Sequence, residues 1–206
     1  MNRMVQEVTS QMDRLHVLVI GPGLGRCPMV LEATFRIIQE AKSRNIPLVL
    51  DADALFLLTL EPYQKALENY DTVVLTPNVV ERKRLNGLEQ YWKGATVIQK
   101  GAQDAICRDE KILATCAEEG GLKRSGGLGD ILAGTIGTLV AWNSILTNQG
   151  KASSSDLPLA CWTACCFTKR ATKRAYDSHL RAMTAPDVLA ELGSTINDMT
   201  STSSKL

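Results

Sequence analysis

Seven residues near the middle of the chain, Arg124-Ser125-Gly126-Gly127-Leu128-Gly129-Asp130, combine a glycine-rich loop with a carboxylate. Three glycines within four positions let the backbone turn sharply and come close to a ligand. Residues 131–142 are mostly apolar and predict a buried helix. A glycine loop that opens a helix directs unpaired backbone N–H groups and the positive end of the helix dipole at one point, which makes an anion site.

Asp130 stands at the junction of this loop and the helix, where it can act either as an N-cap or as a general base. A phosphate site and a carboxylate at one helix start suggest phosphoryl transfer onto a hydroxyl group. The non-catalytic alternative is a glycine-rich loop with a capping aspartate. Lys123 and Arg124 either neutralise a transferred phosphate or are simply solvated.

Four other loops carry residues that can contact a ligand, and each follows a predicted strand. In a parallel sheet the loops after the strands share one edge, where α/β proteins bind their ligands. The sequence therefore predicts that these loops converge and that the Gly126 loop reaches the same edge. The four loops are Gly21–Gly25, Asp51–Asp53, Thr76–Glu81 and Lys100–Gly101.

The first of these loops is not a dinucleotide fingerprint, because Arg26 stands where the third glycine is required. Asp51 and Asp53 are expected either to hold a metal–nucleotide or to cap the next helix. The chain has no G-x-x-x-x-G-K-[ST] motif, which excludes a Walker-type nucleotide site.

Asn78 is a good N-cap, and Glu81 three residues later completes the pattern of a capping box. The helix that follows carries three consecutive basic residues, Arg82, Lys83 and Arg84. Such a run is normally a solvated face. At a strand-to-helix junction it can also meet a phosphorylated ligand.

Apolar strands alternate with helical segments, which predicts an α/β fold with a mainly parallel sheet. Strands are expected at 16–20, 47–50, 72–76 and 95–99, followed by a hairpin of 105–107 and 112–116 that turns at Asp109-Glu110. Helices are expected at 1–15, 28–45, 61–69, 79–85, 130–142, 156–176 and 184–197, with a polar connection at 148–155.

Composition excludes several classes of protein. The chain has 206 residues, 45% of them hydrophobic and 22% charged, enough for one globular domain with a core. A net charge of +1 gives no reason to expect nucleic acid or an anionic membrane as a partner. The longest apolar run is shorter than the roughly 18 residues of a membrane span. No apolar segment follows Met1, so no secretory signal is expected.

Six irregularly spaced cysteines suggest reduced thiols in an intracellular compartment. Cys161, Cys165 and Cys166 cluster on a predicted helix and are conceivable metal ligands. Only two histidines and no C-x-x-C are present, so buried thiols are the favoured interpretation and no metal site is predicted.

Five motifs in order resemble those of the ATP-dependent NAD(P)H-hydrate dehydratases, metabolite-repair enzymes with a ribokinase-like, three-layer α/β/α fold. The resemblance extends from about Leu15 to Leu192. The motifs are Val19-Ile20-Gly21-Pro22-Gly23-Leu24-Gly25, Leu50-Asp51-Ala52-Asp53-Ala54-Leu55, Leu75-Thr76-Pro77-Asn78-Val79-Val80-Glu81, Val97-Ile98-Gln99-Lys100-Gly101 and Lys123-Arg124-Ser125-Gly126-Gly127-Leu128-Gly129-Asp130.

The resemblance implies that ATP, with Mg²⁺, phosphorylates the ring hydroxyl of hydrated NADH or NADPH. Elimination of phosphate then restores the dinucleotide. Asp130 would be the catalytic base and would contact the hydrate. The other implied hydrate contacts are Gly23, Gly25, Asn78, Val79, Val80, Glu81, Lys83 and Arg84. The implied ATP contacts are Lys100, Gly101, Asp104, Gly120, Gly121, Lys123, Arg124, Ser125, Gly126, Gly127 and Gly129.

The chain departs from the family pattern in several places. Arg82 stands where an aromatic residue is usual, Leu128 where glutamine is usual, and Ala54 where glycine is common. The segment between Leu85 and Ala95 is short. The family has strands before the first strand predicted here, so we expect an N-terminally shortened domain at residues 1–199 with an unpaired sheet edge.

Two rival functions remain open at this point. One is a ribokinase-like kinase acting on a small thiazole or pyrimidine alcohol. The other is a shortened nucleotide-binding form without turnover. The dehydratase function also suggests an NAD(P)H-hydrate epimerase as a pathway partner.

The C-terminus suggests a location. Residues 200–206 form a Ser/Thr-rich tail that ends in Ser204-Lys205-Leu206. This tripeptide is either a peroxisomal targeting signal or a chance ending on the polar tail of a cytoplasmic protein.

Overall fold

A six-stranded sheet forms the centre of the structure, a computed structural model that describes residues 2–201. The strands lie side by side in chain order, with β1 to β4 parallel and β5 and β6 added as an antiparallel hairpin. Their bounds are β1 (Leu18–Ile20), β2 (Leu48–Leu50), β3 (Val73–Leu75), β4 (Thr96–Gln99), β5 (Asp104–Arg108) and β6 (Lys111–Cys116).

Helices cover both faces of this sheet. Three of them, α2, α6 and α7, have a proline in the first turn, a position that tolerates its missing N–H. The helices are α1 (Asn2–Thr9), α2 (Pro28–Ser43), α3 (Ala52–Leu57), α4 (Val79–Leu85), α5 (Leu128–Asn148), α6 (Leu157–His179) and α7 (Ala185–Ser201). Short 3₁₀ segments lie at Met12–Arg14, Glu61–Leu67, Glu89–Trp92, Ser154–Asp156 and Leu180–Ala182.

Successive strand residues point to opposite faces of the sheet and therefore enter two separate apolar cores. Leu48, Leu50 and Leu75 belong to one core, which Ile38 of α2 shares. The core on the other face contains Val49, Val74 and Ile98, together with residues of α5 and α6. Every residue of β2 and β3 is buried, as expected for strands covered on both sides. The predicted three-layer α/β/α architecture with a mainly parallel sheet is confirmed.

Several predicted elements differ in type or length. Residues 61–67 form a 3₁₀ segment instead of an α-helix, because the N–H groups bond three residues back, as Tyr63 does to Leu60. Helix α1 stops at Thr9, and a 3₁₀ turn then buries Met12 in the core. Helix α3 was not predicted, since six residues are too few to show a period.

The helices on the second face are longer than predicted. Helix α5 continues to Asn148, the first residue of the expected connection, and α6 continues to His179. Helix α7 runs to Ser201, past the predicted domain boundary at residue 199. The predicted address Ser204-Lys205-Leu206 lies outside the described residues. Within residues 2–201, no helix is both long and apolar enough to cross a bilayer.

The cysteines are free thiols, and all but Cys27 are buried. The thiols of Cys116 and Cys166 lie 3.4 Å apart between β6 and α6. Burial raises the pKa of Cys161 and of Cys166 to about 12. In residues 2–201 no three His, Cys, Asp or Glu side chains are grouped as metal ligands. The interpretation of Cys161, Cys165 and Cys166 as buried thiols is confirmed.

Candidate active site at the start of helix α5

A buried ion pair lies at the carboxyl edge of the sheet. Asp51 follows β2 and Lys100 follows β4, and the Lys100 Nζ donates to Asp51 Oδ1 at 2.7 Å. The Asp51 side chain is 3% exposed and that of Lys100 is 18% exposed. Because β3 separates the two strands, the pair spans the edge of three adjacent strands.

The glycine loop that opens α5 reaches this pair. A Cβ atom on Gly129 would lie 3.7 Å from Asp51 Oδ2 and 3.7 Å from Lys100 Nζ. The first turn of α5 therefore sits directly over the ammonium and the carboxylate. Gly127 has a φ of +89°, a left-handed conformation that favours glycine.

The loop after β1 packs against the backbone of Asp51. Gly21 has a φ of +127°, and a Cβ there would lie 1.7 Å from the carbonyl oxygen of Asp51. Only glycine permits this approach. The predicted convergence of the strand-end loops is thus present for Gly21, Asp51, Lys100 and the α5 loop.

Asp53 organises the rest of the β1 loop. Its carboxylate accepts the Gly25 N–H at 3.0 Å and the Arg26 Nε at 2.7 Å, and the Arg26 guanidinium lies 4.2 Å from the centroid of the Phe56 ring. Asp51 is the N-cap residue of α3, but its side chain makes no capping hydrogen bond. The side chain of Asp51 therefore does not cap the next helix, and Asp53 supports the β1 loop.

Helix α4 starts at the same edge, and side chains cap its N-terminal N–H groups. Asn78 Oδ1 accepts the N–H groups of Val80 at 2.9 Å and Glu81 at 3.0 Å. Glu81 Oε2 accepts the Asn78 N–H at 2.8 Å. The predicted capping box is confirmed.

Helix α5 is different, because no side chain caps it. Its N-cap is Gly127, so the N-cap alternative for Asp130 is wrong: Asp130 is the third helical residue. The Asp130 side chain is exposed, and within the described residues 2–201 no hydrogen bond or ion pair engages it. The first N–H groups of α5 and a free carboxylate thus face the same edge.

A small polar pocket of about 220 Å³ adjoins Lys100 between β3, β4 and α4. Arg82, which departs from the family pattern and belongs to the basic run of α4, lines this pocket and donates to Gln99 Oε1. The complete lining is Pro77, Asn78, Val79, Arg82, Gln99, Lys100, Gly101, Gln103 and Ala105.

Several predicted ATP contacts are engaged elsewhere in the fold. Asp104 accepts the Gly101 N–H at 2.9 Å and lies 3.4 Å from Lys169 Nζ, so it shapes the loop after β4. Lys123 Nζ donates to the carbonyl of Met183 at 2.6 Å. Gly120 and Gly121 pack against α6, where a Cβ on Gly121 would lie 2.6 Å from the Thr172 carbonyl oxygen.

The remaining predicted residues form the outer part of the site. Gly23 and Gly25 are exposed on the β1 loop, and Lys83 and Arg84 are exposed on α4. The apolar side chains of Val79 and Val80 are more than half exposed beside the capping box. Arg124 and Gly126 are exposed, and Ser125 is partly exposed, on the loop before α5.

An apolar groove of about 520 Å³ starts at Asp130 and was not predicted. It runs between α5, α6 and α7, with Trp142 at the far end and Leu189 and Leu192 on the opposite wall. The small residues Gly134 and Thr138 leave its floor open. Positions 130, 134, 138 and 142 share one face of α5, a local pattern that indicates the α5 wall of the groove but not the α7 wall.

Comparisons with known proteins agree with this geometry. A family model described as NAD(P)H-hydrate dehydratase matches residues 1–193. The human ATP-dependent (S)-NAD(P)H-hydrate dehydratase is 36% identical over 213 residues, which cover 95% of this chain and 60% of the human protein. The bovine protein of the same name is 37% identical, with 92% of this chain and 62% of that protein covered. The chain therefore spans about three fifths of the length of these curated relatives.

Solved structures show the same fold. A hypothetical protein from Streptococcus mutans superposes with a TM-score of 0.74 at 20% identity, covering 95% of this chain and 70% of that one. The Bacillus subtilis ADP/ATP-dependent NAD(P)H-hydrate dehydratase, co-crystallised with ATP/Mg²⁺, superposes with a TM-score of 0.61 at 19% identity. The match covers 89% of this chain and 64% of the Bacillus protein.

Proposed function

Because this chain belongs to the NAD(P)H-hydrate dehydratase family, we propose that it catalyses the ATP-dependent dehydration of the S form of hydrated NADH or NADPH. The observation that carries the proposal is the start of α5. An exposed Asp130 carboxylate and an uncapped helix N-terminus stand there over the Lys100–Asp51 pair.

ATP is the phosphoryl donor, and its triphosphate is the anionic group that we place at the start of α5. The free N–H groups of α5 and the Lys100 ammonium are placed to bind it, since both favour negative charge. The N–H groups are fixed by the helix, so they need no reorganisation as charge develops. Arg124, exposed on the preceding loop, adds positive charge at the entrance.

Asp130 is the general base in this proposal. Its carboxylate takes the proton from the ring hydroxyl as the hydroxyl oxygen bonds to phosphorus and the bond to ADP breaks. The new phosphate then leaves as the ring C–O bond breaks and a neighbouring ring carbon loses a proton, which restores the double bond. Nothing else in residues 2–201 holds the Asp130 side chain, so it is available for this task.

Magnesium fits the site as an ion carried mainly by the nucleotide. The described residues contain no cluster of three metal-ligating side chains, and Mg²⁺ is commonly held by substrate phosphates with one or two carboxylates. Because Asp130 is assigned to the proton of the ring hydroxyl, the ATP phosphates are the ligands we expect to hold the ion. The ion would balance charge on the transferred phosphoryl group.

We assign the hydrate to the surface between the β1 loop and α4. Gly23 and Gly25 provide exposed backbone there, and Val79 and Val80 provide exposed apolar contacts. Lys83 and Arg84 are solvent-facing cations suited to the dinucleotide's phosphates. Asn78 and Glu81 contribute by holding the start of α4 in place.

The function is tested by absorbance at 340 nm with purified full chain, hydrated NADH, ATP and Mg²⁺. We expect a rise that needs ATP and releases one phosphate per NADH. The matched control is Asp130→Asn, which keeps the size of the side chain and removes the base. A flat trace from a folded wild-type protein would contradict the proposal.

The products also separate the rival functions. A stable phosphorylated alcohol without phosphate release would indicate a small-molecule kinase. Binding of ATP without turnover of the hydrate would indicate a nucleotide-binding form. Either result overturns the dehydratase function for this chain.

Two finer proposals follow from this function. An NAD(P)H-hydrate epimerase is the pathway partner, because an enzyme restricted to the S form leaves the R form unrepaired. The cytoplasm is the proposed location, with import into peroxisomes through Ser204-Lys205-Leu206. A fluorescent protein fused to the N-terminus, with and without this tripeptide, tests the import.

A further inference from the structure

The Asp51 carboxylate is buried in a position that its local structure does not explain. A buried carboxylate is costly unless it is paired and hydrogen-bonded. At the start of α3 the expected partner is a backbone N–H of the helix, but the Asp51 side chain makes no such bond. Its partner is Lys100 Nζ, 2.7 Å away and 49 residues further along the chain.

The backbone that carries Asp51 is held in a strained conformation. Ala52, the next residue, has a φ of +48°, which is rare for a residue with a Cβ and persists only where the surroundings fix it. The Asp51 N–H donates to the Ile20 carbonyl at 3.0 Å, and Gly21 packs against the Asp51 carbonyl. Two strands and the β1 loop thus determine where this carboxylate lies.

Lys100 is the partner with the longer side chain, which has more rotamers to lose when it is fixed. A lysine side chain has four carbons between its backbone and the ammonium and loses much freedom when it is fixed. The ammonium has three N–H donors, and Asp51 Oδ1 accepts one of them. The Gly129 position, 3.7 Å away, marks the first turn of α5 as the nearest neighbour above it.

We propose that Asp51 is a positioning residue that holds the Lys100 ammonium at the start of α5, where it meets a nucleotide phosphate. The inference rests on the proposed function and adds the residue that orients its cation. Asp51 touches no reactant in this arrangement. Its effect passes through Lys100.

The alternative is that the ion pair only stabilises the fold by linking the ends of β2 and β4. The two roles predict different behaviour in a double-mutant cycle with Asp51→Asn, Lys100→Met and the double variant. A positioning role predicts that Asp51→Asn lowers kcat/KM for ATP about 10- to 100-fold, as a misplaced group does. It also predicts that Asp51→Asn has little further effect, within about twofold, once Lys100 is methionine.

The KM for hydrated NADH, measured in the same variants, is the internal comparison for the effect on ATP. The KM for hydrated NADH should stay within about twofold of wild type in Asp51→Asn, since uniform substrate binding is not altered. Glu40→Gln, which removes the charge of a carboxylate on α2 that pairs with Arg44 at the surface, is the matched control for loss of one carboxylate. It should leave kcat/KM for ATP and the KM for hydrated NADH unchanged.

Asp51→Glu is the second variant, and it keeps the proposal testable if Asp51→Asn does not fold. It retains the charge and moves the carboxylate by one methylene. The positioning role predicts recovered resistance to urea without recovered kcat/KM for ATP. Recovery of both quantities, or an equal effect of Asp51→Asn in the Lys100→Met background, would overturn the inference.

Direct binding of ATP with Mg²⁺ distinguishes this inference from the function itself. If wild type binds ATP but produces no NADH, the proposed function fails while Asp51 is still tested by the dissociation constant. We expect Asp51→Asn to weaken ATP binding at least about tenfold, because breaking a buried charge pair leaves the lysine without its fixed partner. Unchanged binding would overturn the inference.

Discussion

Helices α4 and α5 begin at the same edge of the sheet and carry a carboxylate at the same place, the third helical residue. In α4, Glu81 turns back to the Asn78 N–H, and Asn78 takes two N–H groups of the helix. In α5, the N-cap is a glycine and the Asp130 carboxylate stays free.

Two similar helix N-termini therefore have different roles, depending on whether side chains satisfy their N–H groups. Two N-terminal N–H groups of α4 donate to Asn78, which fixes the start of this helix beside the site. Those of α5 have no side-chain partner and lie over Lys100, so they are available to a ligand. Glycine at the N-cap costs only a few tenths of a kcal/mol of helix stability relative to a polar cap. An open helix end is therefore inexpensive to maintain.

Exchanging the two carboxylates for amides should have very unequal effects. We expect Asp130→Asn to lower kcat about 10²- to 10⁴-fold, the usual contribution of a general base. Glu81→Gln should retain most of the activity, because glutamine also serves in a capping box. Turnover at 340 nm measures both. Equal losses in the two variants would remove the functional distinction between the helices.

Removing the cap of α4 should cost stability. Asn78→Ala leaves the N–H groups of Val80 and Glu81 without their acceptor. We expect the free energy of unfolding to fall by about 1 kcal/mol. Urea denaturation measures it. Asn78→Ser, which can still cap, is the matched control and should lose much less. A loss of activity without a loss of stability would indicate that Asn78 contacts the substrate instead.

Helix α7 provides a third carboxylate at this position, with a smaller expected effect. The Thr184 N–H and hydroxyl each donate to Asp187 Oδ2 at 2.7 Å. These bonds, the hydroxyl first, lower the pKa of Asp187 below its ordinary value. Stability from this contact is therefore fully present above the unfolded-state pKa, and it is lost as pH falls through the lower folded-state pKa.

The test of this pH dependence is Thr184→Ala, which removes the hydroxyl donor. We expect the pKa of Asp187, followed by NMR of the carboxyl carbon, to rise in the variant. The difference in stability between the two proteins should shrink as the pH is lowered through the acidic range. A pKa that does not change on substitution would show that the hydroxyl bond is not the cause.

What the sequence predicted depended on the range of the interaction. The capping box of α4 follows from residues three positions apart, so Asn78 and Glu81 were sufficient evidence. The parallel direction of β1 to β4 was predicted from the alternation of strands and helices, whereas their order in the sheet was not. The Asp51–Lys100 pair could not be predicted from the sequence. It depends on which strands are neighbours in the sheet and on how Ala52 turns the chain.

The N-terminus of α5 was located two residues too late for a similar reason. The spacing of glycines allowed Asp130 as a cap, and only the left-handed backbone at Gly127 decides that the helix starts earlier. The apolar groove beside Asp130 required the docking of α7 on α5 and α6, a tertiary contact that no local pattern specifies.

The most direct measurement is backbone amide NMR of the ¹⁵N-labelled chain during a titration with ATP and Mg²⁺. We expect the largest shifts at Leu128, Gly129 and Asp130, where the N–H groups of α5 are uncapped. Val80 and Glu81, whose N–H groups bond to Asn78, should shift little. Large shifts at Val80 and Glu81 with an unchanged α5 would contradict the claim that α5 is the open end that binds the nucleotide.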